Sequence, residues 1–313
     1  MLKAIALFVV GLILICVGGD RLVDASVAIA KKLGIPHIVV GATIVSIGTT
    51  LPEVLVSTTA AFQGSADICA GNAFGSIICN TALIAGLTQT IRPTKKVEAG
   101  SFNWRTVFFM VTILALIVYG FVFGRYDRIA GIALLLGFAL YAFLSIRLAG
   151  NSEEEENDQD KGEGNLLKQL VILVVCAAFL YVGAKLLVDN GILIAEGLHV
   201  PERVIAVTFI ALGTSLPELV TSLMSLIKGY GNVGLGNIIG ANLLNLLLVI
   251  GIPASLTGIQ LADQTIRVDA PMGVVVMLLL TAPLFVKKRA YRWQGILLLL
   301  VYAGYCIASY SMV

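Results

Sequence analysis

Charge is scarce in this sequence: 13% of its 313 residues are Asp, Glu, Lys or Arg, while 58% are hydrophobic. Soluble domains carry about 25% charged residues, and a soluble globule needs polar side chains to cover its outside. The shortage therefore excludes a water-soluble globule and a disordered tail. With 21 basic against 19 acidic residues the net charge is only +2, so bulk charge points to no nucleic acid or other polyanion. Histidine is nearly absent, with two residues, and no His/Cys cluster suited to zinc occurs. The five cysteines (Cys16, Cys69, Cys79, Cys176, Cys306) form no CxxC pair and stand among apolar neighbours. They read as small core residues rather than a disulfide framework. No phosphate-binding glycine loop, nucleotide motif or Ser/His/Asp constellation is present, which argues against a nucleotide partner, ATP-driven transport or hydrolysis. The reading is of a non-enzyme without a cofactor.

Long apolar runs are what the chain has in abundance. They fall at about 3–30, 36–62, 68–91, 103–123, 128–149, 167–195, 203–227, 233–257, 268–286 and 293–311. A bilayer-spanning helix needs about 20 apolar residues, so the expectation is an all-α integral membrane protein with ten transmembrane helices. The first run follows Lys3 and is as long as a full span, with no convincing cleavage site before Asp20; it reads as a retained helix rather than a signal peptide. One segment is strongly polar: GNSEEEENDQDKGEGN, residues 150–165. Its composition cannot bury apolar surface, so it reads as a solvated linker. The expected organisation is a first five-helix repeat over 1–149, an acidic linker over 150–166 and a second repeat over 167–313.

The two halves match. A shift of 165 residues aligns 18–86 with 183–251 without a gap, giving 23 identities in 69 positions. Leu51-Pro52-Glu53 meets Leu216-Pro217-Glu218, and Gly71-Asn72, Gly75 and Asn80 recur as Gly236-Asn237, Gly240 and Asn245. Apolar composition alone produces chance Leu and Val matches but not matched Pro, Glu and Asn, so the chain is an internal duplication. Five spans per half is an odd number. The second copy then enters the membrane from the opposite side, and the halves form inverted repeats, an architecture of many secondary transporters. Connections after odd-numbered helices hold 14 basic residues, from Lys31 to Arg292 and including Arg105, against five on the other side. Basic residues favour the cytoplasm, which sets the linker inside and both termini outside; the expected location is the plasma membrane.

A charge at bilayer depth costs on the order of 2.5–3.5 kcal/mol even on lenient scales. Glu53 and Glu218 nevertheless stand deep in apolar runs, each closing the same phrase, GTTLPE and GTSLPE. Inverted symmetry brings the two phrases face to face. Neither phrase holds a Lys or Arg, so the carboxylates call for a cation. Pro52 and Pro217 cannot donate a backbone hydrogen bond, which frees carbonyl groups about four residues earlier, and Gly48 and Gly213 loosen the same turn. Thr49, Thr50, Thr214 and Ser215 add hydroxyls. An all-oxygen set of this kind suits hard cations such as Ca²⁺ and Na⁺.

The third and eighth runs carry GNAFGSIICN and GNIIGANLLN. Small residues four apart, Gly71 with Gly75 and Gly236 with Gly240, let helices approach closely. Asn72, Ser76, Asn80, Asn237 and Asn245 set polar groups along them, and Asn80 and Asn245 are candidate site residues because they recur. Asp24 and Asp189 read as solvated or capping residues near helix ends, and His37 and His199 as residues of short connections.

The paired GTTLPE and GTSLPE phrases, each followed by a GNxxGxxxxN segment, resemble the α-repeats of the calcium/cation antiporter superfamily, in particular prokaryotic sodium/calcium exchangers. The likeness spans both repeats, nearly the whole chain. It implies Glu53 and Glu218 as central Ca²⁺ and Na⁺ ligands, with backbone carbonyls of Thr49 and Thr214 on the Ca²⁺. It further implies backbone oxygens of Ser46 and Ala211, with Thr50, Ser215 and Ser76, along flanking Na⁺ sites, and Asn80 and Asn245 completing the centre. Two positions depart from the pattern. Asn245 stands where an Asp is often found, and Ala241 where a Ser often supplies a hydroxyl. The first removes a negative charge and argues against K⁺ co-transport; the second removes a Na⁺ ligand. The resulting expectation is a secondary antiporter exchanging Na⁺ for Ca²⁺ by alternating access. H⁺/Ca²⁺ exchange through the same glutamates is the alternative, and a passive cation channel is a further one that the repeats disfavour.

Overall fold

The computed structural model describes residues 2–64, 67–95, 97, 99–149, 165–198 and 213–312. Most of the 150–166 linker, together with Ala211, His199 and Pro201, lies outside the described residues. In lipid each backbone N–H and C=O must be bonded within the chain, so apolar runs become helices. They are α1 (Leu2–Leu33), α2 (His37–Thr49), α3 (Leu51–Phe62), α4 (Ile68–Ile91), α5 (Ala99–Phe123) and α6 (Arg128–Ala149). After the linker follow α7 (Leu166–Gly197), α8 (Leu216–Ile227), α9 (Gly231–Thr257), α10 (Thr265–Lys287) and α11 (Arg292–Met312). Among the described residues, seven helices are long and apolar enough to cross a bilayer, or eight if α2 and α3 count as one bent span. The chain is a multi-pass, all-helical membrane protein.

Local chemistry sets the ends. Gly34, Gly124 and Gly229 take positive φ just past α1, α5 and α8, a conformation open to glycine. Asp127 accepts from the Ala130 N–H at 3.0 Å and caps α6; Asn165 accepts from the Leu167 N–H at 3.0 Å and caps α7. The run over 36–62 is not one straight helix. It bends by 43° between α2 and α3, at Thr50.

The helices sort into a lipid-facing layer and a core. In the most apolar stretches of α1 and α7, 28% and 33% of residues are buried, against 72% in α4 and 89% in α9. The two helices carrying the GNxxG segments thus lie innermost. The outer pair α1 and α7 cross at Gly11 and Gly183, where a Cβ on either would reach 2.8 Å from the other's carbonyl oxygen. α9 lies against α2 just as closely: a Cβ on Gly41 would fall onto the Val233 carbonyl oxygen, and one on Gly236 onto that of Ile38. Gly71 and Gly75 behave differently from their counterparts, with no atom within 4 Å of an added Cβ. The expectation of close approach holds for Gly236 and Gly240 and fails for Gly71 and Gly75, because α9 is enclosed by α2 while that face of α4 meets open space.

Main-chain bonds tie connections together. Arg125–Tyr126 (β1) pairs antiparallel with Ile259–Gln260 (β2), in register Arg125 to Gln260 and Tyr126 to Ile259. The α5–α6 and α9–α10 connections therefore share one end of the bundle. At another pair of connections the Val97 N–H donates to the Lys288 carbonyl at 3.0 Å and the Ala290 N–H to that of Thr94 at 2.9 Å. Arg105 departs from its expected place. It is 1% exposed inside α5, its guanidinium 4.5 Å from the Trp104 ring, so a lone basic residue in an apolar run is buried here rather than part of a connection. Asp24 also gains a partner: Lys228, at the end of α8, lies 2.6 Å from it and 2.7 Å from Asp20.

Candidate cation site

The bend after Thr49 builds the first half of the site. Pro52 falls in the first turn of α3, where its missing N–H breaks no bond of that helix. The same absence leaves the Gly48 carbonyl of α2 without a donor four residues on. The chain is carried over the bend by the Thr50 N–H on the Ser46 carbonyl at 2.9 Å and the Val54 N–H on the Thr50 carbonyl at 3.2 Å. Pro217 stands likewise in the first turn of α8, and the Leu219 N–H donates to the Ser215 carbonyl at 3.0 Å. Glu53 and Glu218 follow the two prolines directly. Both are fully buried, at 0% exposure, and each begins a helix, where the positive end of the dipole favours a carboxylate.

The two phrases meet. The Thr50 hydroxyl donates to Glu218 Oε1 at 3.4 Å, and the Thr49 hydroxyl to Asn237 Oδ1 at 3.1 Å. Thr49 and Thr50 face Glu218, and in exchange Thr214 faces Glu53. The two carboxylates lie within electrostatic reach of each other. Ser46 lies on the same seam, its Oγ 2.5 Å from the position that a Cβ on Gly240 would take. Asn80 and Asn245 are fully buried on α4 and α9, within wide π-helical segments, Cys79–Ala85 and Asn245–Ile250. Such segments leave backbone carbonyls off the regular ladder and recur at functional sites. Ser76 is buried one turn before Asn80, at 4% exposure. Thr49, Thr50 and Ser215 are buried as well; Thr214 is half-buried.

Polar side-chain atoms here are short of partners. Both carboxylate oxygens of Glu53, Glu218 Oε2, Ser215 Oγ, Asn80 Oδ1 and both polar atoms of the Asn245 side chain are buried without a hydrogen bond. Buried polar atoms in folded proteins are nearly always paired, and an unpaired buried charge is especially costly. An unsatisfied oxygen set around two buried carboxylates can be completed by cations or by protons. The oxygen-only donors fit Ca²⁺ and Na⁺. Among the described residues no cluster of three His, Cys, Asp or Glu could hold a metal; a cation held here would take hydroxyl, amide and carbonyl oxygens besides the two carboxylates.

A family model described as sodium/calcium exchanger protein matches residues 3–147 and 168–311. The chain belongs to the sodium/calcium exchanger family. An uncharacterised membrane protein of Methanocaldococcus jannaschii is 34% identical over 100% of this chain and 99% of its own length. The sodium/calcium exchanger MaX1 of Methanosarcina acetivorans is 30% identical, covering 97% of each chain. A solved structure of the sodium-calcium exchanger NCX_Mj, soaked with Na⁺ and Sr²⁺, superposes with a TM-score of 0.81 at 31% identity over 96% of each chain.

Several residues beside the candidate site escape a linear reading. Asn242 is fully buried and bonded to both Asn80 and Thr81, yet the duplication aligns it with Ile77. The available signal is that it is a third Asn in GNIIGANLLN. Cys79 is 3% exposed on α4, next to Asn80, so this cysteine stands beside a polar residue of the candidate site. Asn72 donates to Ser57 Oγ at 2.9 Å and belongs to a packing contact between α3 and α4.

Proposed function

We propose that this exchanger is a secondary antiporter that moves Ca²⁺ against Na⁺ through one shared site, with Glu53 and Glu218 as central ligands. The observation that carries the reading is the pair of opposed, fully buried carboxylates whose oxygens lack hydrogen-bond partners. Leaving the pair empty is costly in the low-dielectric interior. The site is therefore stable with one Ca²⁺ or with several Na⁺, and unstable while it crosses the membrane empty. That asymmetry is the physical basis of obligatory exchange: both ions compete because both need the same carboxylates. Thr49 and Thr214 contribute to the Ca²⁺ position. Ser46, Thr50, Ser76, Ser215 and Ala211 line the flanking Na⁺ positions, and Asn80 and Asn245 close the centre. If more than two Na⁺ move per Ca²⁺, each net charge gains about 2.3 kcal/mol per 100 mV.

The architecture in this reading is ten transmembrane helices in two inverted five-helix repeats, 1–149 and 167–313. Two structural features support it. The β1–β2 pairing joins the fourth and eighth connections, and the Val97–Lys288 and Ala290–Thr94 bonds join the third and ninth; even connections meet even and odd meet odd. The basic-residue bias then sets the odd connections and the acidic linker in the cytoplasm and both termini outside.

The test is ⁴⁵Ca²⁺ uptake into proteoliposomes, with Na⁺ and pH gradients imposed separately. Uptake driven by an outward Na⁺ gradient with the pH gradient collapsed is expected, and Glu53→Gln and Glu218→Gln should each abolish it. Uptake that follows only the pH gradient would make the counter-ion H⁺. Exchange retained in both variants would overturn the site.

A further inference from the structure

An amide can turn either its oxygen or its NH₂ group toward a cation, and only the oxygen binds. We propose that Asn242 is a positioning residue that locks the Asn80 amide with its oxygen toward the ions; this rests on Asn80 being part of the cation site.

The lock is a hydrogen-bond chain whose observed direction keeps each of its members paired. Asn80 Nδ2 donates to Asn242 Oδ1 at 3.3 Å. Asn242 Nδ2 donates to Thr81 Oγ1 at 2.7 Å and lies 3.3 Å from Met277 Sδ. The Thr81 hydroxyl in turn donates to Met277 Sδ at 3.5 Å. A thioether sulfur can only accept, so the chain ends there, and the observed direction is the one that gives the sulfur its two donors. Turning Asn242 alone would set its NH₂ against the NH₂ of Asn80, and turning both amides would draw the Thr81 hydroxyl from Met277 Sδ to Asn242 Oδ1 and leave the sulfur without a donor. Asn80, Thr81 and Asn242 are each at 0% exposure, so water cannot repair the mismatch. With its NH₂ held by Asn242, Asn80 is left with one free polar atom, the buried and unpartnered Oδ1.

Among the described residues the second repeat shows no such device. The positions aligned with Asn242 and Thr81 are Ile77 and Leu246, and both polar atoms of the Asn245 side chain lack partners. The two matched asparagines are therefore not equivalent: Asn80 is a preorganised oxygen ligand, whereas Asn245 can turn to suit the ion present.

A double-mutant cycle on purified full-length protein tests this, read by Ca²⁺-dependent shift of melting temperature and by the Ca²⁺ dependence of ⁴⁵Ca²⁺ uptake. Partners that orient a metal ligand are typically worth about 10–100-fold in affinity. Asn242→Leu should therefore weaken apparent Ca²⁺ affinity about tenfold or more, raising half-saturation while the maximal rate changes little. Asn80→Ala should weaken it too, and the double variant Asn80→Ala/Asn242→Leu no further than Asn80→Ala alone, because Asn242 acts through Asn80. Thr81→Val, which removes the acceptor that orients Asn242, should lie between wild type and Asn242→Leu and serves if the latter fails to fold. Additive losses in the double variant, or wild-type affinity in Asn242→Leu and Thr81→Val, would overturn the proposal. Glu53→Gln separates the two levels. If it abolishes Ca²⁺ binding while Asn242→Leu has no effect, only the lock is wrong; if it leaves Ca²⁺ binding intact, the site itself is wrong and the lock falls with it.

Discussion

Thr50 and Glu218 stand 168 residues apart, and the Thr50 hydroxyl donates to Glu218 Oε1 at 3.4 Å. The contact links the bend of one phrase to the carboxylate of the other. A hydrogen bond to a charged group is worth about 1.5–3 kcal/mol, and this long one belongs at the lower end. Thr50→Val should raise the Na⁺ concentration for half-maximal exchange by about tenfold, and Thr50→Ser should restore most of it. Na⁺-dependent ⁴⁵Ca²⁺ flux at fixed membrane potential checks both.

The prolines make a separate prediction. Pro52→Ala restores an N–H that can bond the Gly48 carbonyl and draw α2 and α3 toward one continuous helix. The ion-free protein should melt no lower than wild type, while the extra stabilisation conferred by saturating Ca²⁺ shrinks. Melting curves with chelator and with Ca²⁺ separate the two effects. An ion-free protein that loses stability would mean that the proline serves folding rather than the site.

Matched glycines should respond in opposite ways. Gly236→Ala and Gly240→Ala place a methyl group against the Ile38 and Ala42 carbonyl oxygens of α2, an overpacking that costs about 1–3 kcal/mol. Gly71→Ala and Gly75→Ala meet nothing within 4 Å and should stay within about 0.5 kcal/mol of wild type. Melting temperatures of the four purified variants decide it, and equal losses in all four would contradict the packing described.

Lys228 links α8 to α1 through Asp20 and Asp24. Partial burial pulls its pKa down, but hydrogen bonds and charge from the two aspartates outweigh this and hold it above the ordinary value of 10.5. A group whose folded pKa is raised contributes stability that is fully present below the unfolded pKa and lost as pH rises through the folded one. The melting-temperature gap between wild type and Lys228→Met should therefore persist through neutral pH and close only in the alkaline range above about 10.5. A gap that is constant across that range would assign the effect to packing of the lysine stem.

Much of the architecture was legible along the chain, for a physical reason. A bilayer forces each apolar run into a helix, so run length and composition reveal the helices without reference to neighbours. The expense of charge in lipid singles out Glu53 and Glu218, and the duplication pairs them because matched Pro, Glu and Asn cannot arise from apolar composition. Features that depend on which surfaces meet were not legible. Gly71 and Gly236 are the same residue in the same motif, yet one faces open space and the other the backbone of α2. Arg105 reads as part of a connection until α5 is seen to bury it. Asn242 aligns with Ile77 and so carries no repeat signal, and its partners Asn80 and Thr81 come from a helix about 160 residues away in sequence. Local composition specifies which residues bear the charge. The orientation of the neutral groups around that charge follows from packing between distant helices, where hydrogen-bond direction is set by contacts no linear pattern encodes.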